Sequence, residues 1–107
     1  MMEALKAALD ATGYPFAHFG WAVGAQERKR DHGVYAEDGA NDFEAGNQHA
    51  ERAIQGTVDY FTRDDSGAPQ LTIESALESC GCAWYLNSIQ FEQDTGFVHY
   101  EWVFEVA

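Results

Sequence analysis

The sequence predicts an α+β domain, an antiparallel or mixed β-sheet packed by two α-helices in the order α-β-β-β-α-β-β. Three observations carry that expectation. Apolar residues recur at helical spacing in two stretches, first Met2, Leu5, Ala8 and Leu9, then Ile73, Ala76, Leu77 and Cys80. The closing segment alternates, with Val98, Tyr100, Trp102, Phe104 and Val106 on one parity and His99, Glu101 and Glu105 on the other, broken only by Val103. Gly, Pro and Asp-Gly punctuation separates the stretches between.

Taken in order, the first helix carries Glu3, Lys6 and Asp10 opposite its apolar face, and Gly13 followed by Pro15 supplies its stop. Phe16 to Val23 is aromatic-rich and reads as the first strand, irregular around Gly20. Ala25 to Gly33 has no apolar period and reads as an exposed loop. It gathers Arg28, Lys29 and Arg30, half of the 6 Lys+Arg of the chain. Val34 to Asn47 reads as a strand, a turn and a return, with Asp38-Gly39 as a hairpin dipeptide and a further turn at 45–47. From His49 to Asp64, Ile54, Val58 and Tyr60 share one parity while Gln55, Thr57 and Asp59 share the other, the pattern of a half-buried strand. Asp64 to Gly67 breaks it, and Pro69 suits the first turn of the second helix. That helix turns Glu74 and Glu78 outward and ends at Gly81. A strand from Cys82 to Gln93 then reverses at Asp94-Thr95-Gly96 into the alternating last strand. A one-residue slip of that strand would expose five large apolar groups, at about 1.5–3 kcal/mol each, so its register is firm.

A chain of 107 residues makes one domain, 1–107. Its formal charge of −12 disfavours any general binding to phosphate backbones or anionic lipid, which needs clustered Lys and Arg. Apolar residues at 46% and aromatics at 14% supply a core and argue against disorder. The longest charge-free run, Ala11 to Gln26, contains Gly, Pro, His and Gln and does not read as a transmembrane helix. MMEALKAALD has no signal-peptide character, so an intracellular location is expected.

Little in the sequence points to catalysis. Cys80 and Cys82 flank one glycine, a spacing that strains a disulfide and leaves a zinc site incomplete, and they read as packing residues at a helix end and a strand start. Of the four His, His18, His32, His49 and His99, no two have the i, i+4 ligand spacing on a helix. His49, Glu51 and His99 are the residues from which a hydrolytic site could be assembled in space. The ten Gly are scattered and form no phosphate loop. The expectation is therefore no catalytic residue, no metal and no cofactor.

The order of segments resembles the small tail terminator, or tail completion, proteins of long-tailed phages and prophages, also described as minor tail or head–tail joining proteins. Four stretches carry the resemblance. Ala11-Thr12-Gly13-Tyr14-Pro15-Phe16-Ala17 is similar to the family's TG-x-P-x-A before an aromatic strand. Val34 to Asn47 (VYAEDGANDFEAGN) looks like its tyrosine strand, acidic turn and F-x-A-x-N return. Asp59-Tyr60-Phe61-Thr62-Arg63 looks like its tyrosine–threonine strand end, and Tyr100 to Val106 like its closing strand. One departure is Arg30-Asp31-His32-Gly33, where the family has a proline-rich approach to the tyrosine strand.

The resemblance implies a non-enzymatic virion assembly protein. It would form a ring, typically a hexamer, that caps the tail tube, ends its polymerisation and offers the head–tail joining surface. Implied partners are further copies of the chain, the tail tube protein and a head-completion or connector protein, with no sequence-specific nucleic acid and no membrane. The implied location is the host cytoplasm during assembly and then the tail or neck of the virion. An acidic ring lumen would keep passing DNA from sticking. The candidate assembly residues are Arg28, Lys29 and Arg30 in the 25–33 excursion, and Asp42, Phe43 and Glu44 in the 39–48 excursion. The alternative from another class is an acidic DNA mimic that inhibits restriction enzymes, which requires carboxylates gathered on one extended stripe. A small His/carboxylate hydrolase ranks last.

Overall fold

The computed structural model describes residues 2–42 and 52–106. Its elements are helix α1 (Met2–Ala11), strands β1 (Phe16–His18), β2 (His32–Asp42) and β3 (Arg52–Thr62), helix α2 (Ala68–Ser79), and strands β4 (Ala83–Glu92) and β5 (Phe97–Val106). The five strands form one sheet in the order β1-β2-β3-β5-β4. The α+β expectation and its element order therefore hold, and the sheet is mixed, since β1 runs parallel to β2 while every other pairing is antiparallel.

Both helices pack on one face. Leu5 and Leu9 of α1 and Ile73 and Leu77 of α2 are fully buried against Val58 and Tyr60 of β3 and Tyr100, Trp102, Phe104 and Val106 of β5. These are the residues that helical and strand parity selected. The end of α1 is closed by the Thr12 hydroxyl, which donates to the Leu9 carbonyl at 2.6 Å, and Gly13 follows at φ 80°, a conformation that suits glycine. Glu74 is not the outward residue its position suggested. It accepts the indole N–H of buried Trp102 at 3.0 Å, while the neighbouring Glu78 accepts that of Trp84 at 2.9 Å, so α2 is tied to β5 and β4 by charge-assisted bonds.

Three further expectations are corrected. Phe16 to Val23 is not one strand: β1 ends at His18, and a single 3-10 turn follows at Gly20–Ala22. Phe19 adopts φ 69°, unusual for a residue with a side chain, and its N–H donates to the Tyr35 carbonyl at 2.8 Å, so the chain leaves the sheet there. The 25–33 stretch is exposed through Arg30, as expected, but contains a 3-10 turn at Glu27–Lys29, and His32 and Gly33 already belong to β2. Asp38-Gly39 is not a hairpin. β2 runs straight through it, with a bulge between Glu37 and Gly39 that absorbs Asp38 while Glu37 faces Gly56 and Gly39 faces Gln55. The turn expected at 45–47 lies outside the described residues.

Candidate functional site

The face of the sheet opposite the helices carries the polar chemistry. Pairing places His32 opposite Phe61 and Phe61 opposite His99, three rings in one row across β2, β3 and β5. The His32 and Phe61 rings stack at 4.7 Å between centroids, and Phe61 and His99 at 4.1 Å. Phe97 meets His32 edge-on at 5.7 Å, and the Arg63 guanidinium lies 4.0 Å above the Phe97 ring. Arg63 also donates to the Thr95 carbonyl at 3.0 Å and the Lys29 carbonyl at 2.9 Å. Asp31 accepts the Thr62 hydroxyl at 2.5 Å and the Arg63 N–H at 3.1 Å. These bonds fold the 24–31 segment over one end of the face and leave a cleft of about 360 Å³, lined among others by Arg28, His32, Asp59, Phe61, Glu92 and Phe97.

His99 stands between two carboxylates. Its Nε2 is 2.7 Å from Asp59 Oδ2 on β3, and its Nδ1 is 3.4 Å from Glu92 Oε2 on β4. The Asp59 hydrogen bond holds the imidazole pKa above its ordinary 6.5, with the Asp59, Glu92 and Glu101 charges adding to the effect and burial opposing it. Through its two ring nitrogens His99 thus links β5 to β3 and β4 on the open face. Stability from a group whose folded pKa is raised is fully present below the ordinary value and is lost as pH rises through the folded value. The difference in unfolding free energy between the wild type and His99→Gln is therefore expected to shrink as pH rises above the ordinary imidazole value of 6.5. Urea titrations at stepped pH measure it, and a gap that widened with pH would contradict the geometry.

Cys80 and Cys82 both direct their thiols at the Leu77 carbonyl, at 3.3 and 3.5 Å, and are free. Burial pushes the Cys82 thiol up to about 12, so it carries little thiolate near neutral pH. Among the described residues no group of three or more His, Cys, Asp or Glu is placed to hold a metal ion, and no helix is long and apolar enough to cross a membrane.

Comparison with known proteins finds no matching family model and no matching curated relative.

The structure brings together only part of what the sequence nominated. Arg28, Lys29 and Arg30 lie on one exposed turn, where Arg28 reaches back to donate to the Gly20 carbonyl at 2.8 Å. Asp42 ends β2, whereas Phe43, Glu44, His49 and Glu51 lie outside the described residues. His99 instead takes Asp59 and Glu92 as partners. Strand parity alone does not reveal that pair. It requires the β3–β5 register, in which Phe61 faces His99 and Asp59 sits diagonally, two residues along. Trp21, 79% exposed, was also hidden, because FAHFGWAV looks like a buried strand until Gly20 breaks it. Its ring stacks on that of Phe19 at 5.5 Å between centroids.

Proposed function

We propose that this chain is a structural assembly protein that ends phage tail tubes as a self-associated ring and offers the surface on which a head is joined. The specific identity rests on the four stretches that resemble tail terminators. Their described residues fall at the α1–β1 junction, on β2 as far as Asp42, at the end of β3 and on β5, so they span the framework of the domain. The observation that carries the assembly role is the exposed basic turn of Arg28, Lys29 and Arg30, whose Arg28 guanidinium donates to the carbonyl of Gly20, the residue before exposed Trp21. On a chain of net charge −12, half of the basic residues gathered on one exposed turn form a patch complementary to the acidic surface of another copy. Such a contact joins unlike patches, and repetition of a contact of that kind closes rings. Trp and Arg are also the residues that most often dominate protein interfaces.

Adding purified protein to tail tubes that lack a terminator should leave a ring on one end and stop further growth, as seen by negative-stain electron microscopy. Trp21→Ala and Arg28→Glu/Lys29→Glu should lose the ring while the far-ultraviolet circular dichroism stays unchanged. Because the contact pairs opposite charges, ring formation should weaken as salt rises through the range where the Debye length falls from about 10 Å to about 3 Å. Unchanged capping by these variants, or no affinity for tubes together with inhibition of a restriction enzyme, would overturn the reading in favour of another class.

A further inference from the structure

We propose that the outer edge of β4 is a second association surface, at which another copy of this chain pairs antiparallel about a two-fold axis through Gln90. This goes beyond the ring reading and holds whether or not the chain ends tails.

Among the described residues β4 is the outermost strand next to β5, so one side of its backbone hydrogen-bonding groups has no described strand beside it. Edge strands are usually protected by lysine, proline or inward-pointing charge, because a bare edge recruits another strand. Over ten residues β4 carries a single charge, Glu92 at its end, and neither lysine nor proline. Ile89 and Phe91 are 52% and 65% exposed. They oppose Tyr100 and Val98 of β5, which places them on the helix-bearing face. Two exposed apolar side chains on the core-facing side of an edge strand mark a core that stops short of its boundary.

The edge is self-complementary, which selects a second copy as the occupant. Copies of a chain at −12 repel one another over most of their surface, and the charge-free run Ala83–Phe91 is a strip along which two of them approach without opposed carboxylates. The register follows from local geometry. A bulge between Leu86 and Ser88 interrupts the regular edge, which leaves Ser88–Glu92 as the segment able to form a straight ladder. Centred on Gln90, that segment sets Ile89 against Phe91 of the second copy and Phe91 against its Ile89, with Ser88 facing Glu92. Centred on Glu92, it would oppose two carboxylates; centred on Ser88, it would run across the bulge. The Gln90 axis also keeps the helices of both copies on the same side of one continuous sheet, so the four apolar side chains meet as an extension of the two cores.

Sedimentation velocity on the full chain at low and high salt tests the proposal. Dimer is expected, and it should strengthen with salt, since salt screens the repulsion between acidic copies, whereas the basic-turn contact of the ring weakens. Phe91→Glu should raise the dimer Kd at least about tenfold, through two lost apolar pairs and two added charges. Trp21→Glu adds the same charge elsewhere and should leave the dimer as it is while abolishing the ring, so failure of one reading is distinguishable from failure of the other. Gln90→Cys faces itself across the axis within disulfide reach and should cross-link under mild oxidation, in excess of any background from Cys80 and Cys82 in the wild type. A monomer at every salt concentration, a dimer insensitive to Phe91→Glu, or a Gln90→Cys chain that cross-links no more than the wild type would each overturn it.

Discussion

Trp102→Ala is expected to cost about 3–5 kcal/mol of folding stability, enough to leave much of the protein unfolded if its total stability is ordinary for its size. Trp102 is fully buried at the centre of β5, opposite Val58 of β3 on one side and Leu86 of β4 on the other. Its ring lies nearly parallel to that of Tyr100, at 5.7 Å and 13°, and its indole N–H is held by Glu74 on α2. Alanine would therefore open a cavity at the junction of three strands and a helix. It would also remove a charge-assisted partner from Glu74, which would retain the Gln70 amide at 3.2 Å. Urea unfolding followed by circular dichroism gives the loss directly, because a midpoint shift at unchanged slope reports stability alone. Trp102→Phe keeps most of the volume and should fall well short of the alanine cost. A loss under about 1 kcal/mol for alanine would mean that the residue is not central to the core.

Gly56→Ala is expected to destabilise by about 1–3 kcal/mol although it adds a single methyl group. A Cβ at this position would run into the Ala36 carbonyl oxygen, come within 2.6 Å of the Phe104 ring and lie 2.8 Å from the Glu37 Cα. Two of those three neighbours are backbone in the adjacent strand, so relief would require β2 and β3 to separate beside the bulge. Gly39, across that same bulge, has open space around its Cα, and Gly39→Ala should stay within about 0.5 kcal/mol. The pair of variants separates steric collision from any general effect of replacing glycine in a strand. Equal losses at the two positions would sink the explanation.

These two sites differ in how far the sequence announces them. The burial of Trp102 follows from its place in an alternating run of five large apolar residues, which no other register accommodates. The apolar faces of α1 and α2 were legible for the same reason, since 3.6-residue and 2-residue periods record directly which side of an element meets water. The need for glycine at position 56 was not legible. It arises because β3 passes a bulge in β2 and the Phe104 ring at once, and nothing near Gly56 in the chain encodes either neighbour. Asp38-Gly39 misled for a related reason. The dipeptide favours a turn on its own, but β3 supplies partners on both sides of it, and the ladder outweighs the local preference.

The candidate sites divide along the same line. Arg28, Lys29 and Arg30 stood out as an unpatterned basic run, and the structure leaves them exposed. Trp21, the His99–Asp59–Glu92 cluster and the bare edge of β4 did not stand out. Each is defined by which strand lies beside which, by where one stops, or by a residue leaving the sheet. The sequence by itself determined the order of helices and strands, the faces buried by α1, α2 and β5 and the acidic balance, because periodicity and charge are properties of consecutive residues. The parallel docking of β1 on β2, the strand order that leaves β4 outermost and the carboxylates around His99 were decided by the tertiary structure alone, because pairing energy depends on residues that are neighbours only after the chain has closed.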